Sequence, residues 1–110
     1  MVSPAIGSVI LIPFPFSDLS QSKLRPAVVL APVDRDDWIL CQVTSKHYTD
    51  PRAIEISDKD FAKGSLQIVS YVRPGKLFTA HLSLFKSEIA NLHPQAFQRI
   101  ITAVISILQP

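Results

Sequence analysis

The chain has 110 residues, a length that suits one domain with a single core and is too short for two. Hydrophobic residues make up 47% of the sequence and charged residues only 18%, which excludes a disordered chain and indicates a folded domain with an excess of apolar surface. The formal net charge of +2 is compatible with nucleic acid as a partner without requiring it.

The first half of the chain predicts three strands. Residues 7–16 form an apolar, β-branched run whose two prolines indicate a sheet edge or a bend. Residues 17–24 are polar without periodicity and predict an exposed loop, after which residues 27–31 predict a strand buried on both faces. Residues 38–44 predict a third strand, which a tight turn at residues 34–37 separates from the second.

The second half begins with shorter elements. Residues 53–57 alternate in polarity like a fourth strand, residues 65–72 predict a fifth, and residues 76–80 predict a sixth. Between the fourth and fifth, residues 58–64 predict one helical turn that Gly64 ends. We expect Arg73, followed by Pro74 and Gly75, to lie in a turn with its charge exposed.

The last segment predicts an amphipathic helix that begins near Pro94. Its apolar residues recur at the helical spacing of three and four: Phe97, Ile100, Ile101, Val104, Ile105 and Leu108. We expect this stripe to be core. Five or six short strands followed by one covering helix predict a mostly β (α+β) domain, and their spacing suits a small, strongly bent barrel.

The compartment is predicted from cysteine and apolar patterns. The single cysteine, Cys41, cannot form an internal disulfide, which favours a reducing compartment. No basic residue precedes the first apolar run, unlike in a signal peptide, and no stretch reaches the roughly 18 apolar residues of a membrane span. We therefore expect a cytoplasmic protein that does not bind a membrane.

The absence of several motifs narrows the chemistry. The chain has only three glycines, no Cys-x-x-Cys and three widely separated histidines, so we expect no metal and no cofactor. RNA can be cleaved without a metal because its own 2′-OH is an internal nucleophile, and arginine and hydroxyl groups can bind the reacting phosphate. Such side chains stand at predicted strand ends: Lys23, Arg25, Thr44, Ser45, Lys46 and Arg73.

Three ordered segments resemble the MazF/PemK family of toxin endoribonucleases. Residues 7–32 contain the family's G-x-V-x-x-x-x-F strand and, after a variable loop, RPAVVL. Residues 41–46 read CQVTSK and residues 70–78 read SYVRPGKLF, both similar to later family motifs. The resemblance implies one domain over residues 1–110, an SH3-like barrel with a C-terminal helix, and a metal-independent endoribonuclease toxin of a type II toxin–antitoxin system that cleaves single-stranded RNA at a short sequence.

The family's catalytic arginine and threonine correspond to Arg25 and Thr44. The resemblance implies that Arg25 stabilises the phosphorane and could protonate the leaving 5′-oxygen, while Thr44 orients the phosphate. It also implies RNA contacts by four further residues: Lys23, Ser45, Lys46 and Arg73. His47 and Tyr48, beside Lys46, could stack on single-stranded RNA.

One segment departs from the family pattern. Many relatives carry an acidic residue beyond the third motif, often in a Leu-Asp pair, where this chain has Ala80 and His81. The general base is therefore open: His81 could transfer the proton, or the chain could be a non-catalytic dimeric module of the same fold that binds nucleic acid or protein.

The expected partners follow from the resemblance and the apolar excess. We expect a homodimer, because a small barrel with this composition leaves apolar surface that a two-fold interface can bury. The family's antitoxins resemble disordered acidic tails, and such a tail would be attracted to the cations at Lys23, Arg25, Lys46 and Arg73.

Overall fold

The computed structural model describes residues 4–14, 23–46 and 50–110. Within them lie seven strands, two short 3₁₀ turns and one α-helix. The strands are β1 (Ser8–Phe14), β2 (Lys23–Pro32), β3 (Asp37–Thr44), β4 (Ile54–Ile56), β5 (Phe61–Gly64), β6 (Ser70–His81) and β7 (Ser87–Leu92), and the helix is α1 (Pro94–Leu108). The 3₁₀ turns are Asp58–Asp60 and Leu82–Leu84. The predicted loop at residues 17–24 falls mostly outside the described residues, as does the end of the first predicted strand.

All seven strands join one antiparallel sheet in the order β4-β6-β3-β2-β1-β7-β5. The sheet is curled into a half-barrel, and α1 packs against β6 and β4. The predicted mostly β class with one C-terminal helix is confirmed. Because β1, β2 and β3 are consecutive in the chain and neighbours in the sheet, short connections suffice to build the centre of the fold.

Both faces of the central strands are buried, which explains why residues 27–31 are apolar without alternation. On one face Val28 and Cys41 join α1 in what we call the helix-side cluster. On the other face Val29 and Leu40 join a second cluster, which also contains Ile10, Ile12, Phe14, Ala27, Ala80 and Phe85. The prediction that the second strand is buried on both sides is therefore correct.

The helix buries one stripe and exposes its C-terminal end. Ala96, Ile100 and Val104 are buried at a spacing of four, with Pro94 in the first turn, where its missing N–H costs nothing. Ile105 and Leu108, which we expected in the core, are 48% and 70% exposed, because the stripe follows Ala96 instead. No helix in the described part of the chain is long and apolar enough to cross a membrane.

Strand β6 replaces two predicted strands and the turn between them. Cys41 of β3 pairs with Leu77 and Val43 pairs with Val72, so the single residue Gln42 faces the four residues 73–76. This bulge accommodates Pro74, which has no N–H to donate to the ladder and is buried there. The expected turn with an exposed Arg73 was therefore wrong.

Other elements also differ from the sequence prediction. The predicted helical turn at residues 58–64 is a 3₁₀ turn only at Asp58–Asp60, after which β5 begins. Strand β7 was not predicted at all. Lys23 and Leu24, assigned to a loop, lie at the start of β2.

Asp60 links the segment before β5 to the helix. Its carboxylate accepts the backbone N–H of Ser57 at 2.9 Å and a guanidinium N–H of Arg99 at 3.1 Å. Burial is the largest influence and raises the pKa of Asp60, but the two hydrogen bonds and the positive charges of Arg99 and Lys59 together hold the pKa below its usual value. Asp60 is therefore ionised at neutral pH and fixes one side of α1.

We predict that Gly64→Ala strongly destabilises the fold. Gly64 has φ +69°, and a Cβ there would clash with the Ile89 carbonyl oxygen and lie 2.9 Å from the Ala90 Cα. The left-handed conformation alone costs an alanine about 1 kcal/mol, and the backbone clash with β7 adds to it. Urea unfolding should show a loss of about 2 kcal/mol or more. Gly75→Ala is the matched control, because its Cβ would meet only Ile107 Cδ1 at 3.9 Å; equal stability losses in the two variants would contradict the prediction.

Candidate functional site

A cavity of about 380 Å³ opens where β2 and β3 meet the segment before β6. Its polar side consists of Arg25, Thr44, Ser45, Lys46 and Ser70. Four of these five residues were predicted from the sequence as a group. The structure thus brings together one guanidinium, one ammonium and three hydroxyl groups around a single cavity.

The register of two strands explains why Arg25 and Thr44 meet. Ala27 pairs with Gln42 and Val28 with Cys41, so continuing the register by two residues places Arg25 across from Thr44. Residues opposite each other in an antiparallel pair have Cβ atoms about 4.5–5.5 Å apart on one face of the sheet. Arg25 is partly buried and Thr44 is 7% exposed, and both line the cavity.

The Thr44 hydroxyl has a defined orientation. Its Oγ1 accepts the backbone N–H of Lys46 at 3.1 Å. A hydroxyl can donate one hydrogen bond while it accepts others, so this bond leaves the Thr44 proton to be donated to a ligand. The same bond sets the course of the chain through Ser45 and Lys46, both of which are exposed.

The other side of the cavity is apolar and was missed from the sequence. It includes Leu11, Leu24, Leu66, Ile68 and Ile89. Leu24 is 52% exposed and Ile68 is 59% exposed, which is unusual for large apolar side chains beside a cavity. Nothing in the sequence links Leu66 or Ile89 to Arg25, because tertiary folding alone brings them together.

Ser70 was also missed as a cavity residue. It is 3% exposed, and its Oγ donates to the Ile68 carbonyl oxygen at 3.1 Å. This bond stabilises the approach to β6, since it ties the strand's first residue to the exposed Ile68. Ser70 therefore shapes the cavity wall.

Lys23 lies beside the cavity and not in its lining. It is exposed at the start of β2, two residues before Arg25. Residues two apart on a strand point to the same face and lie about 6.6 Å apart. The charge of Lys23 therefore adds to the positive field at this end of β2.

Arg73 is not among the residues that line the cavity. Its Nε donates to Asp50 Oδ2 at 3.1 Å, and the two side chains are 20% and 16% exposed. Hydrogen bonds from the Arg52 backbone N–H and then from the Arg73 side chain lower the pKa of Asp50, so its carboxylate is charged at neutral pH. The predicted RNA contact of Arg73 stays a prediction.

Cys41 contacts the same bulge from the other side. Its Sγ donates to the Arg73 carbonyl oxygen at 2.9 Å. Burial raises the pKa of the Cys41 thiol to about 12, although that hydrogen bond opposes the shift. The thiol is therefore protonated at neutral pH and acts as a donor inside the sheet.

His81 lies at the far end of β3 from Thr44. It pairs with Asp37, the first residue of the strand that Thr44 ends. Seven steps of about 3.3 Å separate Asp37 from Thr44, a distance of about 23 Å. His81 Nδ1 instead accepts the Ser83 backbone N–H at 3.0 Å and begins a 3₁₀ turn. His81 is therefore not among the residues that line this cavity, and its role in proton transfer stays a prediction.

The described cavity lining contains no carboxylate and no imidazole. His47 and Tyr48, considered above for stacking on RNA, lie outside the described residues. Across residues 4–14, 23–46 and 50–110, no group of three His, Cys, Asp or Glu side chains could hold a metal ion. Structure and sequence thus leave the general base open.

Solved structures of other proteins share the fold of this chain. An endoribonuclease from a mycobacterial species, solved with its cognate antitoxin, superposes with a TM-score of 0.77 at 16% identity over 98% of each chain. MazF from Deinococcus radiodurans gives 0.76 at 19% identity over 100% of each chain, and a MazE–MazF complex from that organism gives 0.73 at 17% identity over 99% of this chain and 98% of the other. At these identities the likeness establishes the fold.

A search of the curated proteins found no match. The family model described as "PemK-like, MazF-like toxin of type II toxin-antitoxin system" matches residues 5–108, nearly the whole chain. That span includes both strands that carry Arg25 and Thr44. The chain therefore belongs to the PemK-like, MazF-like toxin family of type II toxin–antitoxin systems.

Proposed function

We propose that this chain is a cytoplasmic toxin that cleaves single-stranded RNA by attack of the RNA's own 2′-OH, without a metal ion. The observation that carries the proposal is the meeting of Arg25, Thr44, Ser45 and Lys46 around one cavity. The proposal is also supported by the solved relatives that are endoribonucleases. An anionic, flexible substrate fits a cavity that is cationic on one side and apolar on the other.

The geometry suggests a role for each polar group. Thr44 Oγ1 already accepts the Lys46 N–H, and its hydroxyl donates a hydrogen bond to a non-bridging oxygen of the scissile phosphate. Arg25 binds the same phosphate with its guanidinium and stabilises the extra negative charge of the phosphorane. Lys46 and Lys23 attract the neighbouring phosphates along the strand.

The reaction itself balances without a cofactor. A base removes the 2′-OH proton, the 2′-oxygen forms a bond to phosphorus, and the bond from phosphorus to the 5′-oxygen breaks. The leaving 5′-oxygen takes up a proton, for which Arg25 is the donor that the family resemblance implies. The products are a cyclic phosphate and a 5′-OH.

The runner-up is a non-catalytic module of the same fold that binds RNA or protein. The observation in its favour is that the described cavity lining offers no carboxylate or imidazole as a general base. The two candidates differ in a direct cleavage assay, because only the toxin nuclease converts RNA into products.

We predict that purified protein cleaves single-stranded RNA in EDTA and leaves an analogue with fluorine in place of every 2′-OH intact. The fluoro analogue keeps the sugar shape of RNA but lacks the nucleophile, so it should still bind. Gel assays of cleavage, with mass spectrometry of the product ends, measure both outcomes. Equal cleavage of the analogue would contradict attack by the 2′-OH, and activity that disappears in EDTA would contradict metal independence.

We predict that Arg25→Ala lowers the cleavage rate about 10²-fold or more, as the loss of a group that stabilises transition-state charge typically does. The fold should persist, because Arg25 lies at the start of β2 and outside both core clusters. Lys63→Ala is the charge-matched control, since exposed Lys63 on β5 does not line the cavity. A rate for Arg25→Ala equal to that of Lys63→Ala would place the catalytic group elsewhere.

We also propose a homodimer and an antitoxin whose acidic tail competes with RNA for the cavity. Support comes from the exposed apolar side chains, among them Val33, Leu77 and Leu84, and from relatives solved with an antitoxin. Inhibition by the neighbouring gene's antitoxin should weaken with salt, because exposed charges are screened within about 10 Å at 0.1 M ionic strength. A monomer in light scattering at micromolar concentration would overturn the homodimer. An inhibitor that binds equally well beside saturating fluoro analogue would overturn the competition with RNA.

A further inference from the structure

Asp50 organises the chain between β3 and β4 with both of its carboxylate oxygens. Oδ1 accepts the backbone N–H of Arg52 at 2.9 Å, and the Asp50 carbonyl oxygen accepts the N–H of Ala53 at 3.2 Å. This is the local turn that aspartate favours, and it directs the chain into β4. Oδ2 meanwhile accepts the Nε–H of Arg73 at 3.1 Å. One side chain thus shapes the end of the connection and attaches it to β6.

Arg73 occupies a position that transmits this attachment to the sheet. It opens the β6 bulge, and its carbonyl oxygen accepts the Cys41 thiol at 2.9 Å. The two residues before it, Tyr71 and Val72, pair with Thr44 and Val43 of β3. The Asp50–Arg73 ion pair is therefore joined, through β6, to Val43 and Thr44, which both line the cavity.

The two described ends of the connection between β3 and β4 are each held by a polar contact. At the first end the Lys46 N–H binds Thr44 Oγ1, and at the second end Asp50 binds Arg73. Ser45 and Lys46, at the first end, line the cavity. Contacts at both described ends leave fewer conformations open to Ser45 and Lys46, which prepares their side chains for a ligand.

We propose that Asp50 is a positioning residue that, through its ion pair with Arg73, holds Ser45 and Lys46 in place for RNA. The expected effect on RNA binding rests on the proposed function. The ordering of Ser45 and Lys46 can be measured without RNA. It also assigns Arg73 a different role from the RNA contact that the family resemblance implies.

The two roles of Arg73 give opposite signs for Asp50→Asn. If Arg73 contacts RNA directly, removal of the competing carboxylate makes the Arg73 charge more available to RNA, and RNA binding becomes tighter. If the pair positions the connection, the same change loosens Ser45 and Lys46 and RNA binding becomes weaker. The sign of the effect therefore separates the two.

The experiment compares full-length wild type with Asp50→Asn, Arg73→Gln and the double variant. Arg99→Gln is the matched control, because Arg99 makes an ion pair of the same 3.1 Å length with Asp60 and does not line the cavity. Thermal melts identify a temperature at which every variant is folded. The readouts are ¹⁵N order parameters of the Ser45 and Lys46 amides, the affinity for the 2′-fluoro RNA, and kcat and KM for cleavage.

We expect the Asp50 and Arg73 variants to lower those order parameters toward the values of mobile loops, under about 0.6. The affinity for RNA should fall about tenfold, chiefly as a rise in KM, because the groups affected bind the substrate before reaction as well as during it. The double variant should resemble either single variant, since all three break one pair. Arg99→Gln should leave the order parameters and KM unchanged.

Three results would overturn the inference: unchanged order parameters in Asp50→Asn, tighter RNA binding by that variant, or the same effects in Arg99→Gln. Failure of the proposed function is a separate outcome. If wild type does not cleave RNA but Asp50→Asn still loosens Ser45 and Lys46, the positioning role stands and the nuclease assignment falls.

Discussion

The antiparallel register between β2 and β3 is the constraint on which the candidate site depends. Val28 opposite Cys41 fills the helix-side cluster, and Val29 opposite Leu40 fills the second cluster. A slip of one residue would turn each of these side chains to the opposite face of the sheet. Because both faces are buried, such a slip would disrupt both clusters. The apolar middle of the two strands thereby fixes the position of their polar ends. The candidate catalytic residues are polar, but their relative position is determined by hydrophobic packing.

The bulge in β6 determines the surroundings of Arg73. A regular strand would have placed Pro74 in a central ladder, where its missing N–H would leave a carbonyl of the neighbouring strand unpaired. The bulge avoids this and directs the Arg73 carbonyl to Cys41 and the Arg73 guanidinium to Asp50. Because the thiol pKa is about 12, Cys41 keeps the proton that this arrangement needs. A residue with the reactivity of a nucleophile here serves as a structural donor.

The sequence predicted what local pattern can encode. The unbroken apolar run at residues 27–31 indicated a strand buried on both faces, and a spacing of three and four indicated the helix. Pro74 and Gly75 indicated a turn, and that prediction was wrong. The local sequence cannot show that the pairing with β3 allows a bulge at that point. Strand β7 was missed because Glu88 and Asn91 dilute its apolar pattern, and only its pairing with β1 and β5 defines it.

For the candidate site, too, local motifs were predicted and contacts between distant segments were not. Arg25 and Thr44 were predicted because each lies in a motif that resembles the family, and the structure places both at one cavity. The roles of Ile89 and Ser70 in its walls depend on contacts between distant segments, which no spacing in the chain reveals. Asp50 was missed for a related reason: its ion pair is with Arg73, 23 residues further along the chain.

The order of strands in the sheet has a consequence for synthesis on the ribosome. Strand β1 lies between β2, which follows it directly in the chain, and β7, which ends at Leu92. While the protein is being made, one edge of β1 therefore has no partner until nearly the whole chain has emerged. An unpaired, apolar edge can recruit strands of other chains, and domains generally fold as units once complete. Arg25 and Thr44 leave the ribosome early, but Ile89, which forms part of the wall of their cavity, emerges much later. A nascent chain therefore contains the polar residues of the site before the cavity around them can form.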